Sequence, residues 1–185
     1  DADIDQTGTN NVATANQSGT NSLARVDQDG TANRGTVTQS GTTAQDPSNK
    51  TFLEQTGERN TADISQVYNT SNTRGANDVD VRQNGVQNNA NVRQPGVFNA
   101  DVNIRQSGTL NNADVVQNNQ DQALADINQS GERNQAFTSQ SKGTGGTIDI
   151  DQDGTGNLAK AYSQYTNHTG NEYTINQDGN DNVGY

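Results

Sequence analysis

Asp149, Asp151 and Asp153 stand on alternate positions ahead of Gly154 and spell D-x-D-x-D-G, the opening half of a calcium loop. Such a loop closes on a glutamate, and Lys160 occupies that place. His168 is the only histidine, with no second His and no Ser or Asp placed to form a proton relay, so no set of catalytic residues is complete. The residues that do recur at fixed spacing are primary amides. Their chemistry is hydrogen bonding: each side chain carries a donor and an acceptor, so like can bond to like.

These amides belong to one pattern, Q-x-G-x-x-N-x-[A/G]. Its glutamines are Gln6, Gln28, Gln55, Gln83, Gln106, Gln129, Gln152 and Gln177. Two residues on come Gly8, Gly30, Gly57, Gly85, Gly108, Gly131, Gly154 and Gly179, and five residues on come Asn11, Asn33, Asn60, Asn88, Asn111, Asn134, Asn157 and Asn182. The seventh place takes only Ala or Gly, with Gly35 and Gly184 the two glycines. Self-similarity at a period of about 23 residues marks a repeat protein, and the period outranks local propensity.

A second glutamine series, Gln17, Gln39, Gln66, Gln94, Gln117, Gln140 and Gln164, divides each repeat in two. Around both series the chain alternates, as in Asn60, Ala62, Ile64 and Gln66 against Asp63 and Ser65. Period two predicts β-strands of about seven residues with Asn, Ala, Val or Ile, and Gln inward and Asp, Arg, Thr, Ser and Asn outward. Between strands lies x-G-x-x, read as a turn whose Gly takes a positive φ; Pro95-Gly96 is a favourable turn pair. Strand, turn, strand, turn makes a rung. Stacked rungs place the repeated Gln residues in one ladder and the Asn residues in a second, where each buried amide finds a partner on the next level.

The spacing of the two halves differs. From the first series to the second it is 11 residues, or 12 at Gln152 to Gln164, whereas the return varies from 11 to 17. Insertions therefore collect on one edge, within 42–50 and 67–77, as surface loops. The fold class expected is all-β: a β-solenoid of strand-turn-strand rungs with two facing parallel sheets, cross-β when stacked into a fibre. One domain spans 1–185, with seven full repeats and a C-terminal half repeat. Both ends stop within a rung, so two copies meeting end to end could complete one another.

Composition excludes several classes. With 26% hydrophobic residues the chain cannot build an ordinary core, and the repeats argue against disorder. There is no Cys for thiolate chemistry, no apolar run long enough to insert in a membrane, and a net charge of −11 that disfavours nucleic acid. A first residue of Asp without an initiator Met fits a processed, secreted chain. No catalytic, metal or cofactor residue is assigned. Tyr162, Tyr165, Tyr173 and Tyr185 either cover the last rung or stack on a carbohydrate.

The pattern resembles the curlin repeat, S-x5-Q-x-G-x-x-N-x-A-x3-Q, over essentially the whole chain. The closing Gln is met at Gln17, Gln39, Gln66, Gln94, Gln117 and Gln140, while the leading Ser is met only at Ser22 and Gln164 arrives one residue late. The resemblance implies a secreted subunit that stacks end to end as a homopolymer into an extracellular, cell-surface amyloid fibre for biofilm matrix and adhesion. It further implies a nucleator subunit and outer-membrane secretion machinery as partners. A monomeric solenoid acting as a binding module or adhesin passenger is the competing reading, and an enzyme has no constellation in its favour.

Overall fold

The structure, a computed structural model, describes residues 1–18, 22–41, 49–67, 76–97, 99–164 and 170–185. The period-two sequence folds as strands because alternate residues can then bury Ala24, Val26 and Gln28 while Arg25 and Asp27 face outward. One parallel sheet contains β1 (Ala2–Thr9), β3 (Leu23–Thr31), β5 (Lys50–Glu58), β7 (Asp78–Val86), β9 (Asp101–Thr109), β11 (Leu124–Glu132), β13 (Thr147–Thr155) and β15 (Glu172–Asn180), in that order. The other contains β2 (Val12–Ser18), β4 (Arg34–Ser40), β6 (Thr61–Val67), β8 (Asn89–Pro95), β10 (Asn112–Asp121), β12 (Gln135–Thr144), β14 (Leu158–Gln164) and β16 (Val183–Gly184). Every strand pairs with the equivalent strand of the next repeat. The result is an all-β solenoid of two facing parallel sheets, with no helix among the described residues.

Val26, Leu53, Val81, Ile104, Ile127 and Ile150 line up across the first sheet and are fully buried. Val37, Ile64, Val92 and Val115 form the facing column in the second. Between these columns the small residues set the gap. A Cβ on Gly35 would lie 2.6 Å from Leu53 Cδ2, and one on Gly184 would lie 2.7 Å from Ile175 Cγ2. Where the facing side chain presses this close, the Ala of the repeat becomes Gly, since an extra carbon would overpack the core.

The first-sheet strands extend further than seven residues, most of them to nine, and contain the repeat glycines. The hydrogen-bonded stack continues into the corner, with Ala32 N–H donating to Thr9 O at 2.9 Å and Arg59 N–H to Thr31 O at 2.9 Å. The bend is shared between the glycine and a second residue, for example Gly8 at φ 103° and Asn10 at φ 58°. That second left-handed position holds Ala32, Arg59, Gln87, Leu110 and Arg133 in other repeats, so no residue type marked it in the sequence. On the other edge, Gly96 follows Pro95 with φ 64°. Of the inserted stretches 42–50 and 67–77, residues 42–48 and 68–75 lie outside the described residues, as do 165–169 with Tyr165 and His168; Lys50 and Val67 belong to β5 and β6, and Asn49 and Asn77 are buried rather than surface loop.

Candidate assembly site

Each first-series glutamine ends the inward set of its strand, and in-register pairing brings equivalent amides together. Gln6 Nε2 donates to Gln28 Oε1 at 2.6 Å, Gln28 to Gln55 at 2.6 Å, and Gln55 to Gln83 at 2.8 Å. The column continues through Gln106, Gln129 and Gln152 to Gln177 at 2.8–2.9 Å. From Gln28 onward the second proton crosses the interior to a backbone carbonyl of the opposite sheet, as from Gln106 Nε2 to Asn89 O at 2.9 Å. The column therefore bonds rung to rung and sheet to sheet. In a dry interior each satisfied amide contributes about 1 kcal/mol, and each orphaned one costs about 1–3 kcal/mol.

The ladder has a direction. Nε2 always belongs to the earlier rung and Oε1 to the later one. The second series runs the same way, from Gln17 through Gln39, Gln66, Gln94 and Gln117 to Gln140, at 2.7–3.0 Å. It stops there. Strand pairing sets Ser163, not Gln164, opposite Gln140, so Ser163 is buried and Gln164 is exposed on the outer face. The register of β14 is unbroken, and since successive side chains of a strand point to opposite faces, a Gln one place beyond the inward position points out.

The asparagine column is built differently from an amide-to-amide ladder. Asn11 Oδ1 accepts the backbone N–H of Asn33 at 2.9 Å, and Asn33 Oδ1 accepts that of Asn60 at 2.9 Å. Asn33 Nδ2 donates to Asp29 O within its own corner and to Gly57 O on the next rung, both at 3.1 Å. The same arrangement recurs at Asn60, Asn88, Asn111, Asn134 and Asn157, with Asn182 N–H donating to Asn157 Oδ1 at 3.0 Å. Asn is one methylene shorter than Gln and sits beside the bend, so its amide bonds mainly to backbone; within this column amide-to-amide bonds join only Asn88 to Asn60 at 3.2 Å and Asn182 to Asn157 at 3.0 Å among the described residues. Each Asn clamps its own corner to the next.

The glycines make that close stacking possible. A Cβ on Gly108 would stand 2.1 Å from Gly131 O, and the same overlap with the following glycine recurs at Gly8, Gly30, Gly57, Gly85, Gly131 and Gly154. At Gly179 the nearest atom is Asn182 Nδ2 at 3.7 Å. The terminal rungs also expose their inner residues: Ile4 is 44% exposed, whereas Val26 above it is fully buried. Any further rung laid on β15 would meet a ladder whose next partner must present an Oε1, a backbone N–H and a carbonyl.

Asp149, Asp151 and Asp153 point outward from β13. No group of three or more His, Cys, Asp or Glu suited to a metal is present among the described residues. The outward carboxylates nevertheless influence one another. Partial burial pushes Asp126 above the usual carboxylate range; Arg105 opposes the shift and Asp149 and Asp151 add to it. Burial likewise raises Asp80, against Arg82 and Arg105, and raises Asp101 with help from Asp78. Of the tyrosines, Tyr173 packs against the core in the last rung, while Tyr162 and Tyr185 face out from the second sheet. Thr138 occupies a core place between Val115 and Ala161, and its hydroxyl has no partner. The sequence signal for that exception was present, a Thr where the column otherwise carries Ala, Val or Ile.

No curated protein and no solved structure matches the chain. The family model described as the Curlin associated repeat matches residues 1–30 and 123–154. The two matched segments make the chain similar to curlin-repeat proteins, and between them β4 to β10 keep the same strand register while the first glutamine column runs on through Gln55, Gln83 and Gln106.

Proposed function

We propose that this chain is a structural subunit whose copies stack end to end into an extracellular, curli-like amyloid fibre that serves as biofilm matrix and adhesive scaffold. One observation carries the reading: the first glutamine column runs in a single direction through every rung, offering Oε1 at one end and Nε2 at the other. Ends of opposite kind join head to tail, and when each copy adds its rungs along the same stacking axis the joining continues as an open filament rather than a ring. The curlin repeats support the same reading and bring with them a secreted route through outer-membrane machinery and a nucleating partner subunit. In this role the amides, glycines and asparagines are structural, and the work of the protein is to template another rung.

Fibre diffraction of refolded, aligned protein tests the polymer directly. Reflections at about 4.8 Å on the meridian and about 10 Å on the equator are expected from stacked rungs. A folded chain that stays monomeric would overturn the reading in favour of a binding module. Gly179→Ala tests the joint itself. Within one chain the new methyl makes an ordinary contact with Asn182 Nδ2 at 3.7 Å and costs only the strain of φ 102°, about 1–3 kcal/mol. In a head-to-tail joint it would strike the neighbour's Gly8 as the interior glycines would strike theirs. Elongation should fail while the folded chain persists, and elongation at the unmodified rate would rule out this register.

A further inference from the structure

The outward faces of the two sheets differ in charge. On the first sheet Asp3, Asp5, Asp27 and Asp29 crowd one end. Asp149, Asp151, Asp153 and Asp178 crowd the other. Only Arg25, Lys50, Arg82 and Arg105 oppose these and the further carboxylates between them. The outward positions of the second sheet carry two carboxylates, Asp63 and Asp114, with Arg34, Arg93 and Lys160. Nearly the whole negative charge of the solenoid therefore lies on one side.

Exposed apolar surface is distributed the opposite way. Phe52, the aromatic residue of the acidic face, is covered by the guanidinium groups of Arg25 and Arg82 at 5.7 and 5.4 Å from its ring centre. On the second sheet Val12, Val67, Tyr162 and Val183 are open to solvent, Tyr162 at 57%, against Leu23 on the first. Around them stand short side chains such as Thr36, Thr38, Ser65 and Ser139, which let flat sheets approach to about 10 Å. Seven strands at about 4.8 Å and seven residues at about 3.3 Å give a face of about 780 Å². A standard stable interface buries about 800 Å² on each partner.

We propose that the outward face of the second sheet pairs with the same face of another copy, producing a double slab with the acidic first sheets outermost. The occupant is a second copy because two second-sheet faces are nearly neutral and the face has the area that a stable interface needs. Two first-sheet faces would instead repel through their carboxylates. This inference rests on the fibre reading only in that stacking repeats the face along a filament; the pairing itself needs two copies.

The chain has no cysteine, so Ser65→Cys accepts a single nitroxide label on the second sheet and Ser107→Cys one on the first. Pulsed dipolar EPR on the fully assembled protein reads distances between copies. Copies joined only end to end hold the same residue about 38 Å apart, eight rungs at about 4.8 Å. A distance well below that value at Ser65, and none at Ser107, is the expected result. Ser139→Cys provides a second second-sheet position should Ser65→Cys not fold. No short distance at either second-sheet position, or a short one at Ser107, overturns the pairing. Electron microscopy of the same samples separates the two readings: filaments without the short distance leave the fibre and remove the pairing, and the short distance without filaments does the reverse.

Discussion

In the first sheet the glutamine ladder passes through all eight strands, from Gln6 to Gln177, whereas in the second it ends at Gln140, where Ser163 occupies the inward place. The two sheets also differ at the corners that follow their strands. The corner after each first-sheet strand has constant length, a glycine with its next-rung neighbour's carbonyl against it, and an asparagine clamp. Nothing there can slip. The corners after the second-sheet strands vary in length, and Gly170, on that edge, has no atom of the described residues within 4 Å of where a Cβ would lie. Register is imposed by the crowded corner and merely followed by the open one.

The largest expected effect contrasts the two corners. Gly108→Ala places a methyl 2.1 Å from Gly131 O and should cost more than 4 kcal/mol, enough to abolish cooperative folding. Gly170→Ala, at φ 76° in open space, should cost about 1 kcal/mol. Urea denaturation of both variants checks the contrast, and equal losses would remove the distinction between the corners.

A smaller effect is expected within the first ladder. Gln129→Ala leaves Gln106 Nε2 and Gln152 Oε1 facing a cavity, and the loss should be about 3 kcal/mol by the same titration. A loss below about 1 kcal/mol would mean that the ladder contributes little beyond filling space.

Repairing the broken ladder should act in the other direction. Ser163→Gln sets an amide opposite Gln140 Nε2 and should raise stability by about 1 kcal/mol. Unchanged or lower stability would place the limit in the local backbone rather than in the missing side chain.

The smallest effect concerns the acidic sheet. The folded state holds Asp80, Asp101 and Asp126 above the ordinary carboxylate value, chiefly through burial, so it binds protons more tightly than the unfolded chain. Ionisation of these groups therefore opposes folding at neutral pH. Stability should rise as pH falls from neutral toward the carboxylate range, with the gain complete below the unfolded value. Thermal melts across that range, with Asp126→Asn flattening part of the slope, check the sign. A fall in stability over that window would contradict it.

By itself the sequence determined the all-β class, the alternation that sends Asn60, Ala62, Ile64 and Gln66 inward, and the stacking of one repeat upon the next. These are consequences of two periods, two residues for a strand and about 23 for a rung, and periods survive in a one-dimensional text. The tertiary structure decided which atom each amide would meet. It turned the asparagines toward backbone, gave the ladder its single direction, set Gly35 against Leu53 and placed Ser163 where a glutamine was to be expected. Those outcomes depend on contacts between residues far apart in the chain, as Gly35 and Leu53 or Gln28 and Gln55, and on corner angles to which Ala32, Arg59 and Leu110 contribute as readily as any other residue. No composition or spacing encodes them, because they exist only once two rungs are in contact.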